Sequence, residues 1–436
     1  VIVTADDPNM YSSQNEQDSR NYALAAKLPM LEPSDSEEAR DFTKMAFEIS
    51  EKYDCPVLLR TVTRISHAKS IVSEGEKIEP PEIEGFKKNI KKYVMIPAFA
   101  RERHLVVEER MKQMAEDADK FSINRIEYKS KKTGFITSGM SYNYVREAFP
   151  EASALKLGMV YPFPEGLIKE FAETIENLYV AEELEPFIEK HVKALGWKVE
   201  GKSRLPIRGE LSSDLLKEAF DDKFTMPEPY EIPFEVPARP PSLCPGCPHR
   251  PVLQILNELN MNVSGDIGCY TLAVLPPISA MDTCVEMGAS IGITQGVEIA
   301  EGENYKNNNV AVIGDSTFAH SGITGLFNAA YNGRKSLVIV LDNGTTAMTG
   351  MQPNPFSGSR LCGEKSGVLD YRLLAAAAGI DDDNFAVIEA FNREELKENI
   401  LRMIDSNRLS LMVVKGKCVI NHRKTVKQNK DNEENI

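Results

Sequence analysis

Two short polar motifs follow two apolar segments and carry the ligand types that a divalent cation and a diphosphate require. A Gly-Asp-Ser motif at 314–316 follows the run 310–313, and an Asp-Asn-Gly-Thr motif at 342–345 follows the run 337–341. Runs that are apolar at every position are typical of parallel strands covered on both faces. Open α/β sheets bind ligands at the carboxyl ends of such strands. The two motifs are therefore predicted to lie together at one edge of a sheet.

The oxygen atoms of these motifs suit Mg²⁺, which prefers six oxygen ligands and usually keeps phosphate oxygens among them. We expect the Asp315 carboxylate, the Asn343 amide oxygen and the Thr345 backbone carbonyl to bind the ion. Gly314 allows the backbone to approach closely, and the N-terminus of the following helix offers N–H groups to the anion. Taken alone, Gly-Asp-Ser is equally well explained as an ordinary turn after a strand.

Cysteines form a second group of candidate ligands. Cys244 and Cys247 make a CxxC turn ahead of a helix expected near Pro251, and Cys269 follows Gly268. Thiolates near helix N-termini are stabilised by the local positive potential. Seven cysteines cannot all pair, which argues against a disulfide framework. Zinc and unligated thiols are alternatives to an iron–sulfur cluster, although a zinc knuckle prefers a second CxxC that the sequence lacks. Three further cysteines are expected in the core: Cys55, Cys284 and Cys362.

Longer stretches around these motifs resemble a known family. The segments GDSTFAHSGITGLFNAAYN, LDNGTTAMTGMQPNP, GDIGCYTL and DTCVEMGASIGITQG are similar to the alpha subunits of indolepyruvate ferredoxin oxidoreductases, as is the opening DDPNMYSSQNEQDSR. These enzymes use thiamine diphosphate, and their wider class has a Gly-Asp-Gly followed at a similar spacing by Asn-Asn. Ser316 departs from the third position of that general signature. The resemblance covers nearly the whole chain.

The resemblance implies that thiamine diphosphate and Mg²⁺ bind in the C-terminal half. It places residues 287–289 beside the pyrimidine and thiazole rings and residues 346–349 near the reactive carbon. His320 is expected to contact diphosphate or substrate, with an ordinary polar contact as the alternative, and an ordinary contact is also expected of His249. The expected cofactor-binding residues are Gly268, Tyr270, Met287, Gly288, Gly314, Asp315, Ser316, His320, Asn343, Thr345, Thr346, Met348 and Thr349.

Related 2-oxoacid ferredoxin oxidoreductases also hold a 4Fe-4S cluster close to thiamine. Their ligands are a CxxC pair, a Gly-Cys further along the chain and a distant fourth cysteine. Cys244, Cys247, Cys269 and Cys418 fit that order. The resemblance therefore implies that these four thiolates bind one cluster.

Composition excludes several other classes of function. The net charge of −14 argues against nucleic acid as a partner, because nonspecific binding needs lysines and arginines to neutralise phosphates. No apolar run approaches the roughly 20 residues that cross a bilayer, so no membrane contact is expected. The chain begins with VIVTADDP, which has none of the features of a signal peptide. A cytoplasmic location is expected.

Alternating strand and helix patterns predict an α/β protein with the thiamine-diphosphate-binding fold, built from several doubly wound parallel-sheet domains. Among its elements we expect a buried strand at 1–4, helices over 35–51 and 278–297, and a helix near 105–121. The predicted domains are 1–75, the end of a truncated pyrimidine-binding-type domain; 76–130, a linker with a helix; 131–220, a transketolase C-terminal-like domain; 221–242, a proline-rich crossing segment; 243–420, the thiamine-diphosphate and Mg²⁺ domain; and 421–436, a disordered tail.

The function that the resemblance implies is that of a catalytic alpha subunit in a hetero-oligomer with a beta subunit. Such an enzyme decarboxylates arylpyruvates oxidatively to aryl-acetyl-coenzyme A and passes the electrons to ferredoxin. Family members also carry an upstream half-domain with an activating glutamate and a C-terminal ferredoxin-like domain. Neither is found in the sequence, so an incomplete catalyst is expected. A nonoxidative thiamine decarboxylase or synthase, which needs no cluster, and a noncatalytic assembly fragment are the alternatives.

Overall fold

The computed structural model describes residues 1–75, 77 and 85–424, and the chain forms two units, Val1–Ile232 and Pro233–Ile436. The strands of the first unit are β1 (Ile2–Asp6), β2 (Met30–Leu31), β3 (Leu58–Val62), β4 (Arg125–Glu127), β5 (Ser130–Ser138), β6 (Ala152–Leu157), β7 (Met159–Tyr161) and β8 (Asn177–Ala181). Its helices are α1 (Arg20–Ala26), α2 (Ser36–Tyr53), α3 (Thr63–His67), α4 (Ile90–Tyr93), α5 (Pro97–Ala118), α6 (Gly139–Ala148), α7 (Glu165–Thr174), α8 (Phe187–Ala194) and α9 (Ser213–Phe220).

The first unit contains two four-stranded sheets, with strand orders β1-β3-β2-β7 and β4-β6-β5-β8. All neighbours are parallel except β7, which is antiparallel to β2, and β4, which is antiparallel to β6. The prediction of a buried strand at 1–4 was right about the strand and wrong about its burial. β1 is an edge strand, with Ile2 46% and Val3 63% exposed, because it pairs with β3 on one side alone among the described strands.

Helix α2 shows how local sequence sets an element of this unit. The Asp35 side chain accepts a hydrogen bond from the Glu38 N–H at 2.8 Å, which caps the helix N-terminus. Phe42, Ala46 and Ile49 then recur at helical spacing and are buried on one face. The predicted helix over 35–51 is confirmed, and so is a helix in the region 105–121, where α5 ends at Ala118.

The second unit is a five-stranded parallel sheet with helices around it. Its strands are β9 (Asn262–Ser264), β10 (Asn309–Gly314), β11 (Leu337–Asp342), β12 (Phe385–Glu389) and β13 (Ser410–Lys415), in the spatial order β12-β13-β11-β10-β9. Its helices are α10 (His249–Glu258), α11 (Ser290–Glu301), α12 (Asp315–Thr317), α13 (Ile323–Tyr331), α14 (Tyr371–Ala377) and α15 (Arg393–Asp405).

This sheet is covered on both faces, as the uniformly apolar strands predict. Along β10, Val310 and Val312 pack into one core, while Ala311 and Ile313 pack into another. Successive residues pack into different cores because successive side chains of a strand point to opposite faces of the sheet. The predicted α/β class is confirmed by this arrangement.

The predicted helix over 278–297 was wrong in its first half. The helix α11 begins at Ser290, and residues 278–289, all of which the structure describes, contain no α-helix. Thr283 instead forms a parallel bridge with Ser264 beside β9. Gly288 then adopts a φ of 97°, a conformation that a helix excludes and glycine tolerates.

Two other predicted segments lie at the sequence boundary between the units and at the C-terminal end of the second unit. Residues 221–242, described throughout, form neither helix nor strand. Residues 421–424 of the predicted tail are helical and continue a helix that starts at residue 419. The rest of the predicted tail, 425–436, lies outside the described residues, as do residues 76 and 78–84 of the predicted linker.

Candidate functional site

Strand register brings the two polar motifs together. Gly314 at the end of β10 is the partner of Leu341 in β11, so Asp315 and Asn343 emerge at the same carboxyl edge. They line a cavity with a volume of about 150 Å³. Twelve of the thirteen expected cofactor-binding residues line it: Gly268, Tyr270, Met287, Gly314, Asp315, Ser316, His320, Asn343, Thr345, Thr346, Met348 and Thr349. Gly288 is not among its lining residues.

Asp315 lies at the bottom of the turn and is only 3% exposed. Its carboxylate accepts hydrogen bonds from the Ser316 N–H at 2.7 Å and the Gly344 N–H at 3.1 Å. Burial and the neighbouring Asp342 carboxylate raise the pKa of Asp315 to about 7. Within the described residues, Asp315 forms no ion pair with a lysine, arginine or histidine. A buried carboxylate with a raised pKa and no cationic partner there fits a site for a divalent cation.

The Asn343 side chain is held at both ends. The Thr345 N–H donates to its Oδ1 at 3.0 Å, and its Nδ2 lies 3.1 Å from Nε2 of His249. Burial lowers the pKa of His249 to about 4, so the ring is neutral at neutral pH. The carbonyl oxygen of an amide has two lone pairs. Asn343 Oδ1 can therefore accept the Thr345 bond and still ligate a cation.

Tyr270 connects the turns that follow β9 and β10. Its hydroxyl donates to the Ile267 carbonyl oxygen at 3.1 Å and accepts from the Gly314 N–H at 2.9 Å. The ring packs so closely that a Cβ at Gly268 would lie 2.4 Å from it and one at Gly314 would lie 3.0 Å from it. These two glycines are required by that close approach.

The mouth of the cavity is formed by flexible and polar side chains. Met287 and Met348 are 48% and 49% exposed, and unbranched thioethers adapt to irregular apolar ligands. His320 is exposed, with its Nδ1 2.7 Å from the Ser321 hydroxyl. The Thr349 hydroxyl donates to Oε1 of Gln352 at 2.8 Å.

Asp266 is a site residue that the sequence analysis missed. It is fully buried, and its two carboxylate oxygens lie 2.8 and 3.0 Å from the Gly288 nitrogen, which donates to them. It thereby fixes the turn that presents Met287 to the cavity. The signal was a carboxylate close behind a strand, the same signal as at Asp315. It was overlooked because β9 is short and has the polar sequence NVS.

The four cysteines that the family pattern singles out line one cavity of about 120 Å³. Burial and the three other cysteines raise the pKa of Cys247 to about 11. All seven cysteines are free thiols. Of the three expected in the core, Cys55 is buried and Cys284 is half-buried, but Cys362 is exposed, so its prediction was wrong.

The four thiols share a cavity without forming a ready-made metal site. No group of three or more His, Cys, Asp or Glu side chains in the described part of the chain could hold a metal ion as it stands. Cysteine ligates metal ions as the thiolate. Four sulfurs around one cavity are nevertheless the donor set that a 4Fe-4S cluster takes.

Known proteins place this chain in a family. Residues 266–414 match the family model described as "Thiamine pyrophosphate enzyme, C-terminal TPP binding domain". The indolepyruvate oxidoreductase subunit IorA of Methanothermobacter thermautotrophicus is 38% identical over 446 residues, which cover 96% of this chain and 71% of the relative. The chain belongs to the indolepyruvate oxidoreductase subunit IorA family.

Other IorA proteins are similar to this chain to the same degree. Those of Pyrococcus abyssi and Thermococcus kodakarensis are each 39% identical and are covered to 70% and 71% of their length, with 96% of this chain aligned. A solved 2-oxoglutarate:ferredoxin oxidoreductase from Magnetococcus marinus matches 41% of this chain and 65% of its own, at 18% identity and a TM-score of 0.35. Among the described residues of this IorA family member, no helix is long and apolar enough to cross a membrane.

Proposed function

We propose that this chain is the catalytic alpha subunit of an indolepyruvate ferredoxin oxidoreductase that works in the cytoplasm. The proposed reaction converts an arylpyruvate, coenzyme A and two oxidised ferredoxins to aryl-acetyl-coenzyme A, carbon dioxide, a proton and two reduced ferredoxins. A beta subunit completes the proposed assembly. Membership of the IorA family supports the proposal.

The diphosphate cavity would hold thiamine diphosphate and Mg²⁺. Asp315 and Asn343 would ligate the ion with side-chain oxygens, and Thr345 would ligate it with its carbonyl oxygen. Ser316 and Gly344 contribute N–H groups that already orient the Asp315 carboxylate. Met287 and Met348 would offer apolar contacts to a bound organic ring.

The cysteine cavity would hold a 4Fe-4S cluster through Cys244, Cys247, Cys269 and Cys418. When bound, thiamine diphosphate supplies an electron sink for the loss of carbon dioxide, and the cluster supplies a one-electron acceptor. The chain itself binds and orients both groups, which is the usual contribution of a protein to cofactor chemistry.

One observation carries the proposal: the two cavities share a wall. His249, Cys269, Asn343 and Ala347 line both of them. A nonoxidative decarboxylase or synthase has no use for four cysteines on the far side of the diphosphate site. An oxidoreductase that passes electrons out singly needs an acceptor at that place.

The test is anaerobic reduction of ferredoxin by the native complex that contains this chain and its beta subunit. We expect reduction that requires both indolepyruvate and coenzyme A and releases one carbon dioxide for each pair of ferredoxins reduced. 2-Oxoglutarate, in place of indolepyruvate, is the control for substrate class. Carbon dioxide release without ferredoxin reduction and without dependence on coenzyme A would contradict the proposal and support the nonoxidative alternative.

A further inference from the structure

His249 occupies the wall between the two cavities. It is the first residue of α10, lies two positions after Cys247 and is 4% exposed. Its ring packs edge-on against the Tyr270 ring, with 5.9 Å between the centroids. The residue thus lies between the candidate cation ligands and the cysteines.

The hydrogen bonds around Asn343 determine what His249 does there. The Thr345 backbone nitrogen can only donate, so the atom 3.0 Å away must be the amide oxygen of Asn343. The amide nitrogen then faces His249 and donates to Nε2 across 3.1 Å. Because Nε2 accepts, the ring proton of the neutral imidazole is on Nδ1. His249 adds a second contact, at the nitrogen, that favours the same orientation of the Asn343 amide.

The cysteine cavity is joined to the same asparagine. His249 lines the cysteine cavity together with Cys247, which lies two residues before it in the chain. The backbone N–H of Cys418 donates to the Asn343 carbonyl oxygen at 3.2 Å. Asn343 is therefore held by two residues that line the cysteine cavity: its side chain contacts the His249 ring, and its main-chain carbonyl accepts from Cys418.

We infer that His249 is a positioning residue that holds the Asn343 amide with Oδ1 towards the cation, and that it ties this ligand to the cysteine cavity. The inference rests on the proposed function, because the cation is that of thiamine diphosphate. Residues that orient a metal ligand by a hydrogen bond typically change metal affinity by about 10- to 100-fold when replaced. We expect a loss of that size here.

The experiment is calorimetric titration of Mg²⁺ and thiamine diphosphate into the full chain and two variants. His249→Phe keeps a buried ring of similar size but cannot accept a hydrogen bond. His249→Gln loses the ring but places a side-chain oxygen where Nε2 was. We expect about 10- to 100-fold weaker Mg²⁺ binding in the first variant and near-normal binding in the second. His67→Phe, at an exposed histidine of the first unit, is the matched control.

The Mg²⁺ affinities of the two variants distinguish a positioning role of His249 from a role in packing alone. If His249 only fills space, His249→Phe binds normally and His249→Gln does not, and the inference is overturned. It is equally overturned if both variants bind as weakly as each other. If the unsubstituted chain binds no thiamine diphosphate, the proposed function itself fails, and the inference fails with it.

A second measurement needs no folded His249→Phe protein. Long-range ¹⁵N correlation spectra of the unsubstituted chain, labelled at its six histidines, report which ring nitrogen carries the proton. The His249 signals are assigned by their loss in His249→Gln. We expect a proton on Nδ1 and a bare Nε2. A proton on Nε2 would overturn the inference whatever the affinities are.

Discussion

Asp315 is the residue on which cation binding in the proposed site depends most directly. Replacing it by alanine removes the buried carboxylate and leaves the Ser316 and Gly344 N–H groups without their acceptor. Because loss of a residue that merely orients a ligand costs about 10- to 100-fold in metal affinity, we expect Asp315→Ala to lose at least that much. Calorimetry with Mg²⁺ and thiamine diphosphate measures the change.

Asp405→Ala is the control for that substitution, since Asp405 is exposed at the end of α15. It should bind the cofactor and ion as the unsubstituted chain does. Unchanged affinity in Asp315→Ala would remove this residue from the set of ligands.

Replacing Cys418 tests whether the cysteine farthest along the chain from the CxxC turn is a cluster ligand. We expect anaerobically purified protein to contain about four iron and four sulfide per chain. Cys418→Ser should lower the iron content and alter the visible spectrum, because a hydroxyl is a poor substitute for a thiolate ligand. Cys362→Ser, at an exposed cysteine, should do neither. Stoichiometric zinc, or a normal spectrum in Cys418→Ser, would contradict the assignment.

The contrast between Asp315 and His249 shows which residues of a site can be predicted from sequence. Asp315 directly follows an apolar strand, so its place at the ligand edge follows from the pattern alone. His249 was expected to make only an ordinary polar contact. Its partner Asn343 lies 94 residues away, and only the fold brings the two side chains together. A contact of that kind leaves no local trace in the sequence.

At the scale of elements, the site depends on how the turns after β9 and β10 are joined. Tyr270→Phe removes the hydroxyl that accepts from the Gly314 N–H and leaves that buried donor unpaired. An unsatisfied buried donor costs about 1–3 kcal/mol, so we expect unfolding free energy to fall by that amount. Denaturation in urea measures it. Tyr331→Phe, at a tyrosine that is 90% exposed, should leave stability unchanged. Equal stabilities for the two variants would show that the bond contributes nothing.

The prediction of a helix or strand succeeded where the sequence showed one clear periodicity. It failed where contacts with distant residues determined the local backbone. Residues 310–313 of β10 and 337–341 of β11 are apolar at every position, and both were predicted as buried strands. The region 278–289 is also rich in apolar and small residues, yet it forms no α-helix, because the Gly288 turn is held by the distant carboxylate of Asp266. Burial of β1 could not be predicted either, since an apolar strand looks the same at an edge as in the centre of a sheet.

At the scale of the whole molecule, buried carboxylates differ in whether a buried arginine neutralises them. In the first unit, buried arginines neutralise carboxylates: Arg60 pairs with Asp6 at 2.6 Å and Arg20 pairs with Glu182 at 2.6 Å. In the second unit, Asp315 has no such partner among the described residues and is expected to gain one with Mg²⁺. Its effect on stability should therefore depend on ligand, whereas that of a carboxyl in the first unit should not.

Glu183 provides the clearest test of pH dependence in the first unit. It is buried, accepts a hydrogen bond from the Leu211 N–H at 3.0 Å, and has its pKa raised by burial from 4.5 to about 7. A carboxyl whose pKa is raised on folding favours the folded state only while protonated. The Glu183 carboxyl therefore does not lower the free energy of unfolding below about pH 4.5. It lowers this free energy increasingly as pH rises, and the full loss is reached above about pH 7.

We therefore expect Glu183→Gln to stabilise the first unit at pH 8 by up to about 3 kcal/mol, and by clearly less at pH 5. Glutamine is neutral at both pH values and can still accept the Leu211 hydrogen bond. Urea unfolding at the two pH values, with and without Mg²⁺ and thiamine diphosphate, measures the difference. Glu185→Gln, at an exposed neighbour, should show no such dependence. A gain in Glu183→Gln that is the same at pH 5 and pH 8 would mean that Glu183 is ionised throughout this range and that its charge is compensated in the folded state.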